Sequence, residues 1–160
     1  MPVLEALRGR INCPISVDTM KAPVAEAALA HGATIINDVW GFKRDARLAP
    51  LAAKHQAAVV LMHNRETIDP TIDIVDDMLR FLEASLKDAL AAGVSRDKVA
   101  LDPGIGFGKT LEQNLAALAA VPRLKDLGCA VLVGASRKSM IGKIIPSETD
   151  ERLPGTIALH

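Results

Sequence analysis

The chain has 160 residues, 49% hydrophobic and 24% charged, which excludes a disordered polymer and predicts one domain with a substantial core. Lys and Arg total 19 and Asp and Glu 19, so a formal net charge of zero gives no electrostatic reason to expect nucleic acid or an anionic membrane as partner. Aromatic residues reach only 2%, with no tyrosine, which removes the stacking platforms that single-stranded nucleic acid needs.

In chain order, Val3–Arg8 reads as the tail of a helix. Pro14–Val17 is a short apolar run, followed by a helical pattern over Lys21–His31 that stops at Gly32. Ala33–Ile36 and Ala57–Leu61 are further strand-like runs, with helix-period Asp45–Gln56 between them. Over Thr71–Ala92, residues Ile72, Val75, Leu79, Leu82, Leu86 and Leu90 fall on one helical face. Lys98–Leu101 is a fourth strand. Thr110–Leu127 is helical, split by Pro122 and stopped by Gly128, and Ala130–Val133 is a fifth strand. Helices are expected over Arg137–Ile144 and Asp150–His160. The alternation predicts a parallel sheet with crossover helices, either open and doubly wound or part of a closed βα barrel. A whole barrel takes about 200 residues or more, so five strands suggest a single domain over 1–160, truncated at both ends.

Cys13 and Cys129 show no CxxC spacing and no histidine at a zinc-ligand distance, and read as buried thiols. Residues Met1–Glu5 lack a signal peptide's basic and apolar regions, and no apolar stretch approaches the roughly 20 residues of a membrane span. A soluble, cytoplasmic protein is expected.

Function in either architecture collects where the strands end at their carboxyl side. Just past the five runs stand Asp18-Thr19, Asn37-Asp38, Met62-His63-Asn64, Asp102–Lys109 and Gly134–Ser139. The opposite ends carry the plainer Cys13, Gly32, Gln56, Asp97 and Cys129. Each polar residue also has a bland explanation. Asp18 could cap the next helix, Asn37-Asp38 could be turn chemistry, and His63 could be a satisfied strand-end histidine. The glycine loop fits neither nucleotide motif. Pro103 occupies the first glycine of a P-loop, and Gly104-x-Gly106-x-Gly108 lacks the dinucleotide spacing. Its backbone amides could still hold an anion, as could the cations and hydroxyls of Ser136-Arg137-Lys138-Ser139. Converging carboxylates, a carboxamide and a lysine, with Met62 and Phe107 as apolar cover, suit a flat donor-rich heterocycle. A pterin meets those requirements and a guanine meets many of them.

Ile15–Thr19, Ile36–Val39, Leu61–His63, Leu101–Thr110 and Gly134–Met140 together resemble, in that order, the dihydropteroate synthase family of pterin-binding enzymes. The resemblance implies a partial TIM-type (βα)8 barrel spanning the third strand to the helix after the seventh. It implies condensation of a pterin-methyl diphosphate with 4-aminobenzoate. Carried over by motif, Asp18, Asn37, Asp102 and Lys138 would bind the pterin, with Asp18, Asp102 and Lys138 acting in catalysis. Met62, Phe107 and Gly134 would line the pocket, and Ser136 would lie near the aminobenzoate. The family implies Mg²⁺, held by an Asn outside this chain, and a homodimer for the full-length enzyme. A mobile Thr-Arg loop and a last strand with Arg and His, also family features, have no counterpart here. Competing readings are a pterin-dependent methyltransferase and a non-catalytic pterin-binding module.

Overall fold

The computed structural model describes residues 2–7 and 9–159, so Arg8 and His160, the expected ends of the first and last helices, lie outside it. The strands are β1 Ser16–Asp18, β2 Ile35–Asp38, β3 Ala58–Met62, β4 Val99–Asp102 and β5 Ala130–Val131. They form one parallel sheet in the order β1-β2-β3-β4-β5. Helices α1 Pro2–Leu7 and α2 Ala22–Ala30 are followed by α3 Leu48–Lys54 and α4 Ile74–Ala91. Then come α5 Leu111–Ala119, α6 Val121–Lys125, α7 Ser139–Ile144 and α8 Leu153–Ala158.

The strand order decides between the two architectures. A doubly wound sheet reverses direction at a switch point, whereas here every new strand joins the same edge. With right-handed crossovers, that winding places the connecting helices on one face, as in a βα barrel. Strand alternation then sorts the side chains. Ile36, Val59, Leu61, Val99 and Leu101 point toward the helices and are buried against α2, α3, α4, α5 and α6. Alanines 25, 28 and 52 are completely covered, and their small size lets the helices sit close to the sheet. The opposite face carries Ile35, Ala58, Val60, Ala100, Ala130 and Leu132, which line a shallow hollow of about 270 Å³.

Local chemistry explains the boundaries. Asp73 accepts the amides of Val75 and Asp76, so α4 starts after Ile72, and its buried stripe is Ile74, Met78, Leu82, Leu86 and Ala89. Leu82 and Leu86 lie on the expected face, Ile72 precedes the helix, and Val75, Leu79 and Leu90 pack as partly buried neighbours beside Met78 and Ala89. Pro122 lies in the first turn of α6 and separates it from α5, as expected. Strands β1, β3 and β4 each run one residue beyond the expected apolar run, and β2 runs two. Ladder hydrogen bonds are made by backbone, so a terminal Asp or Met pairs as well as a valine. The cysteines correct the expectation of two buried thiols: Cys13 is exposed and Cys129 half-buried.

Candidate active site

The strand extension places the polar residues inside the sheet rather than beyond it. Asp18 is in register with Asn37, and Met62 with Asp102. All four have the parity of the hollow face, away from the helices, at its carboxyl edge. Asp38, one position on, has the opposite parity. It is fully buried and accepts the amides of Trp40 at 2.9 Å and Phe42 at 2.8 Å. The Asn37-Asp38 pair therefore divides: Asp38 holds the turn and Asn37 faces the site. Asp18 does not cap α2. Thr19 accepts the Lys21 amide at 3.1 Å, and Asp45 accepts the Ala22 amide at 2.9 Å. The exposed Asp18 carboxylate is left to the site edge.

Asp102 is 6% exposed and accepts the Gly104 amide at 2.7 Å. Burial pushes its carboxyl up from the ordinary 3.8, against the pull of that amide and of Lys138 and Lys109. Burial likewise lowers the Lys138 ammonium, against Asp102. Lys138 Nζ donates to the Ile105 carbonyl and stands 4.6 Å from the centre of the Phe107 ring. Gly134 closes the group: a Cβ there would lie 3.7 Å from Asp102 Oδ2 and 3.9 Å from Lys138 Nζ. A Cβ at Gly134 would thus touch both groups at ordinary contact distance, and a larger side chain would crowd them. Met62 is buried as floor, Phe107 is half-buried, and Ser136 is exposed on the corner before Lys138.

The loop between β4 and α5 depends on its glycines. Gly104 has φ +67, and a Cβ there would meet the His63 carbonyl oxygen at 1.8 Å. Asn114, on α5, accepts the Gly106 amide at 2.6 Å and donates to the Thr110 carbonyl at 2.6 Å. Thr110 and Gln113 form a capping box that starts α5. Two polar residues near the strand ends stay out of the site, His63 as the satisfied strand-end histidine that the sequence allowed. His63 is fully buried, its Nε2 donating to Asp77 at 3.2 Å, and stands edge-on to Phe81. Arg137 turns to the C-terminal segment, where its Nε donates to the Thr149 carbonyl at 2.8 Å. The corner therefore offers one cation, Lys138, to the site rather than two. Sequence reasoning missed Lys109, a buried lysine whose Nζ donates to the Gly104 and Phe107 carbonyls. Its only signal was its place in the glycine-loop motif.

Among the described residues no group of three or more His, Cys, Asp or Glu side chains could hold a metal ion. These residues do not by themselves make a Mg²⁺ site. No described helix is long and apolar enough to cross a membrane.

The consecutive winding of five parallel strands defines a βα-barrel type of protein. The chain belongs to the pterin-binding enzyme family, whose sequence model matches residues 1–160. It is 45% identical over 158 residues to dihydropteroate synthase of Clostridium beijerinckii, covering 99% of this chain and 58% of that protein. The Bacillus subtilis dihydropteroate synthase is 45% identical over 156 residues, covering 98% of this chain and 54% of the relative. The chain thus spans a little over half the length of these relatives. Its fold superposes on Clostridium difficile dihydropteroate synthase, crystallised in the presence of pteroic acid, with a TM-score of 0.94 and 46% identity. That match covers 99% of this chain and 60% of the other. The Xanthomonas albilineans enzyme in complex with 7,8-dihydropteroate gives a TM-score of 0.92 at 39% identity, covering 99% and 60%.

Proposed function

We propose that residues 1–160 form one pterin-binding domain of a dihydropteroate synthase, acting in the cytoplasm on a pterin-methyl diphosphate and 4-aminobenzoate. The observation that carries this reading is the grouping of Asp102 and Lys138 about Gly134, on the sheet face and edge that also hold Asp18 and Asn37. A pterin's 2-amino and ring N–H groups are adjacent donors, which a carboxylate such as Asp102 accepts together. Lys138 donates to the ring oxygen, and Asn37 completes the ring's hydrogen bonds. Met62 and Phe107 give the ring apolar cover, Gly134 leaves room for it, and Ser136 sits toward the aminobenzoate. Related structures hold 4-aminobenzoic acid, one proposed substrate, or 7,8-dihydropteroate, the proposed product, which supports this reading.

In the reaction the bond between the pterin methylene carbon and the diphosphate oxygen breaks. The arylamine nitrogen then bonds that carbon and gives up a proton to solvent. Positive charge grows on the pterin as diphosphate leaves, and the Asp18 and Asp102 carboxylates favour it. Mg²⁺ is the family's ion for the departing diphosphate. Among the described residues no acidic or histidine cluster fits it. A homodimer is the assembly proposed for the full-length enzyme.

The test is calorimetry of pterin binding to the chain and to Asp102→Asn. The asparagine oxygen can still accept the Gly104 amide, so the fold persists while the charge is lost. Affinity is expected to fall roughly 10- to 100-fold, the weight of one or two charged hydrogen bonds. A chain that binds no pterin, or a variant that binds as well as the parent, overturns the reading.

A further inference from the structure

Lys109 is 5% exposed, and burial drives its ammonium from 10.5 to about 7. The charges that face it come from every neighbouring element. Asp102 on β4 and Asp77 on α4 favour the charged form, whereas Lys138 before α7 and Arg65 after β3 oppose it. Neutral His63, at the end of β3, also feels its charge. An exposed position would avoid that cost, so the interior placement needs a reason.

The reason lies in the loop. Gly104, Gly106 and Gly108 all have positive φ, which turns successive peptide groups in directions that a regular turn does not satisfy. Each inward group has its own partner. The Gly104 amide goes to Asp102, the Ile105 carbonyl to Lys138, and the Gly106 amide to Asn114. The Gly104 and Phe107 carbonyls share Lys109 Nζ, at 2.9 and 3.1 Å. Lys109 thus joins the residue bonded to Asp102 with the residue whose ring faces Lys138.

We propose that Lys109 is a positioning residue: its ammonium clamps the Gly104 and Phe107 carbonyls, fixing the Phe107 ring against Lys138 and the Gly104 amide on Asp102. The consequence for ligand affinity rests on the pterin-site reading given above; the clamp itself does not.

The experiment separates the two. The chain has three phenylalanines, Phe42, Phe81 and Phe107, so fluorophenylalanine labelling gives three ¹⁹F resonances, assignable by single Phe→Leu replacements. In Lys109→Met the Phe107 resonance is expected to move while that of Phe42, buried behind Asp38, stays in place and reports an intact fold. Pterin affinity in the same variant is expected to fall roughly 10- to 100-fold. An unmoved Phe107 resonance overturns the proposal. Should Lys109→Met fail to fold, Lys109→Arg carries the test: the guanidinium keeps buried N–H donors but cannot meet the Gly104 and Phe107 carbonyls from one nitrogen as the ammonium does, so the Phe107 resonance is expected to move, and an unmoved one overturns the clamp. A parent chain that binds no pterin, while the variant shows the ¹⁹F response, defeats the site reading and leaves the clamp standing.

Discussion

His63 shows how burial turns a plausible catalytic residue into a structural one. It has no exposed surface, and burial together with the Lys109 charge lowers its imidazolium to about 4, against the hydrogen bond to Asp77. The unfolded chain protonates this histidine near 6.5, so between 6.5 and 4 the unfolded state binds the extra proton. Stability from this group is fully present above about 6.5 and is lost as pH falls toward 4, by about 3 kcal/mol in all. Asp77 adds a loss of the same sign at lower pH. Burial opposes its charge, but hydrogen bonds from Arg65 and His63 outweigh it and hold the carboxyl below 3.8. Thermal unfolding measured from pH 7 to pH 4 should therefore show a falling Tm, with a shallower fall in His63→Gln. Equal slopes for parent and variant would remove His63 from the acid response.

At the scale of the element, the loop between β4 and α5 joins sequence pattern to site geometry. Gly104 needs its missing side chain twice over, for a φ of +67 and for the 1.8 Å that a Cβ would leave to the His63 carbonyl. Gly32 needs only the first, since a Cβ there meets nothing within 4 Å at φ +100. Gly32→Ala is expected to cost about 1 kcal/mol of backbone strain. Gly104→Ala must also displace β3 or the loop, and should cost more than about 3 kcal/mol and abolish pterin binding. Denaturant titration of both variants checks the ranking, and comparable losses would contradict it. The sequence pattern located every strand and placed Asp18, Asn37, Met62 and Asp102 near one edge, because β-branched runs and glycine stops are local signals. Composition and spacing alone did not separate Asn37 from Asp38 or Lys138 from Arg137; the family resemblance did. Neighbouring residues in sequence face opposite ways, and register together with the bonds of Asp38 and Arg137 gives the physical reason for that choice. Lys109 was invisible as a contributor for a related reason, since its partners are backbone carbonyls that no composition records.

For the whole molecule, the consecutive strand order makes the inner face a surface with unusual exposure. Among the described residues β1 pairs only with β2, and β5 only with β4, so each edge presents unpaired backbone groups. The face between those edges is apolar, with Leu132 43% exposed beside Ile35, Val60 and Ala130. Parallel sheets ordinarily have both faces covered, because their strands are apolar on each side. Here one face rests on the helices, and the other has only its polar carboxyl edge to recommend it to water. An open edge and an apolar floor side by side favour contact with a second copy over solvation. The purified 160-residue chain is therefore expected to self-associate in sedimentation velocity at about 10–100 µM, the range in which exposed strands meet. Leu132→Asp places a carboxylate on that floor beside the β5 edge and should shift the distribution toward monomer. It lies two residues before Gly134, so pterin binding measured alongside shows whether the site tolerates the change. A parent chain that stays monomeric throughout that range, or a variant that associates as strongly, would mean that the inner face is not the surface that drives assembly.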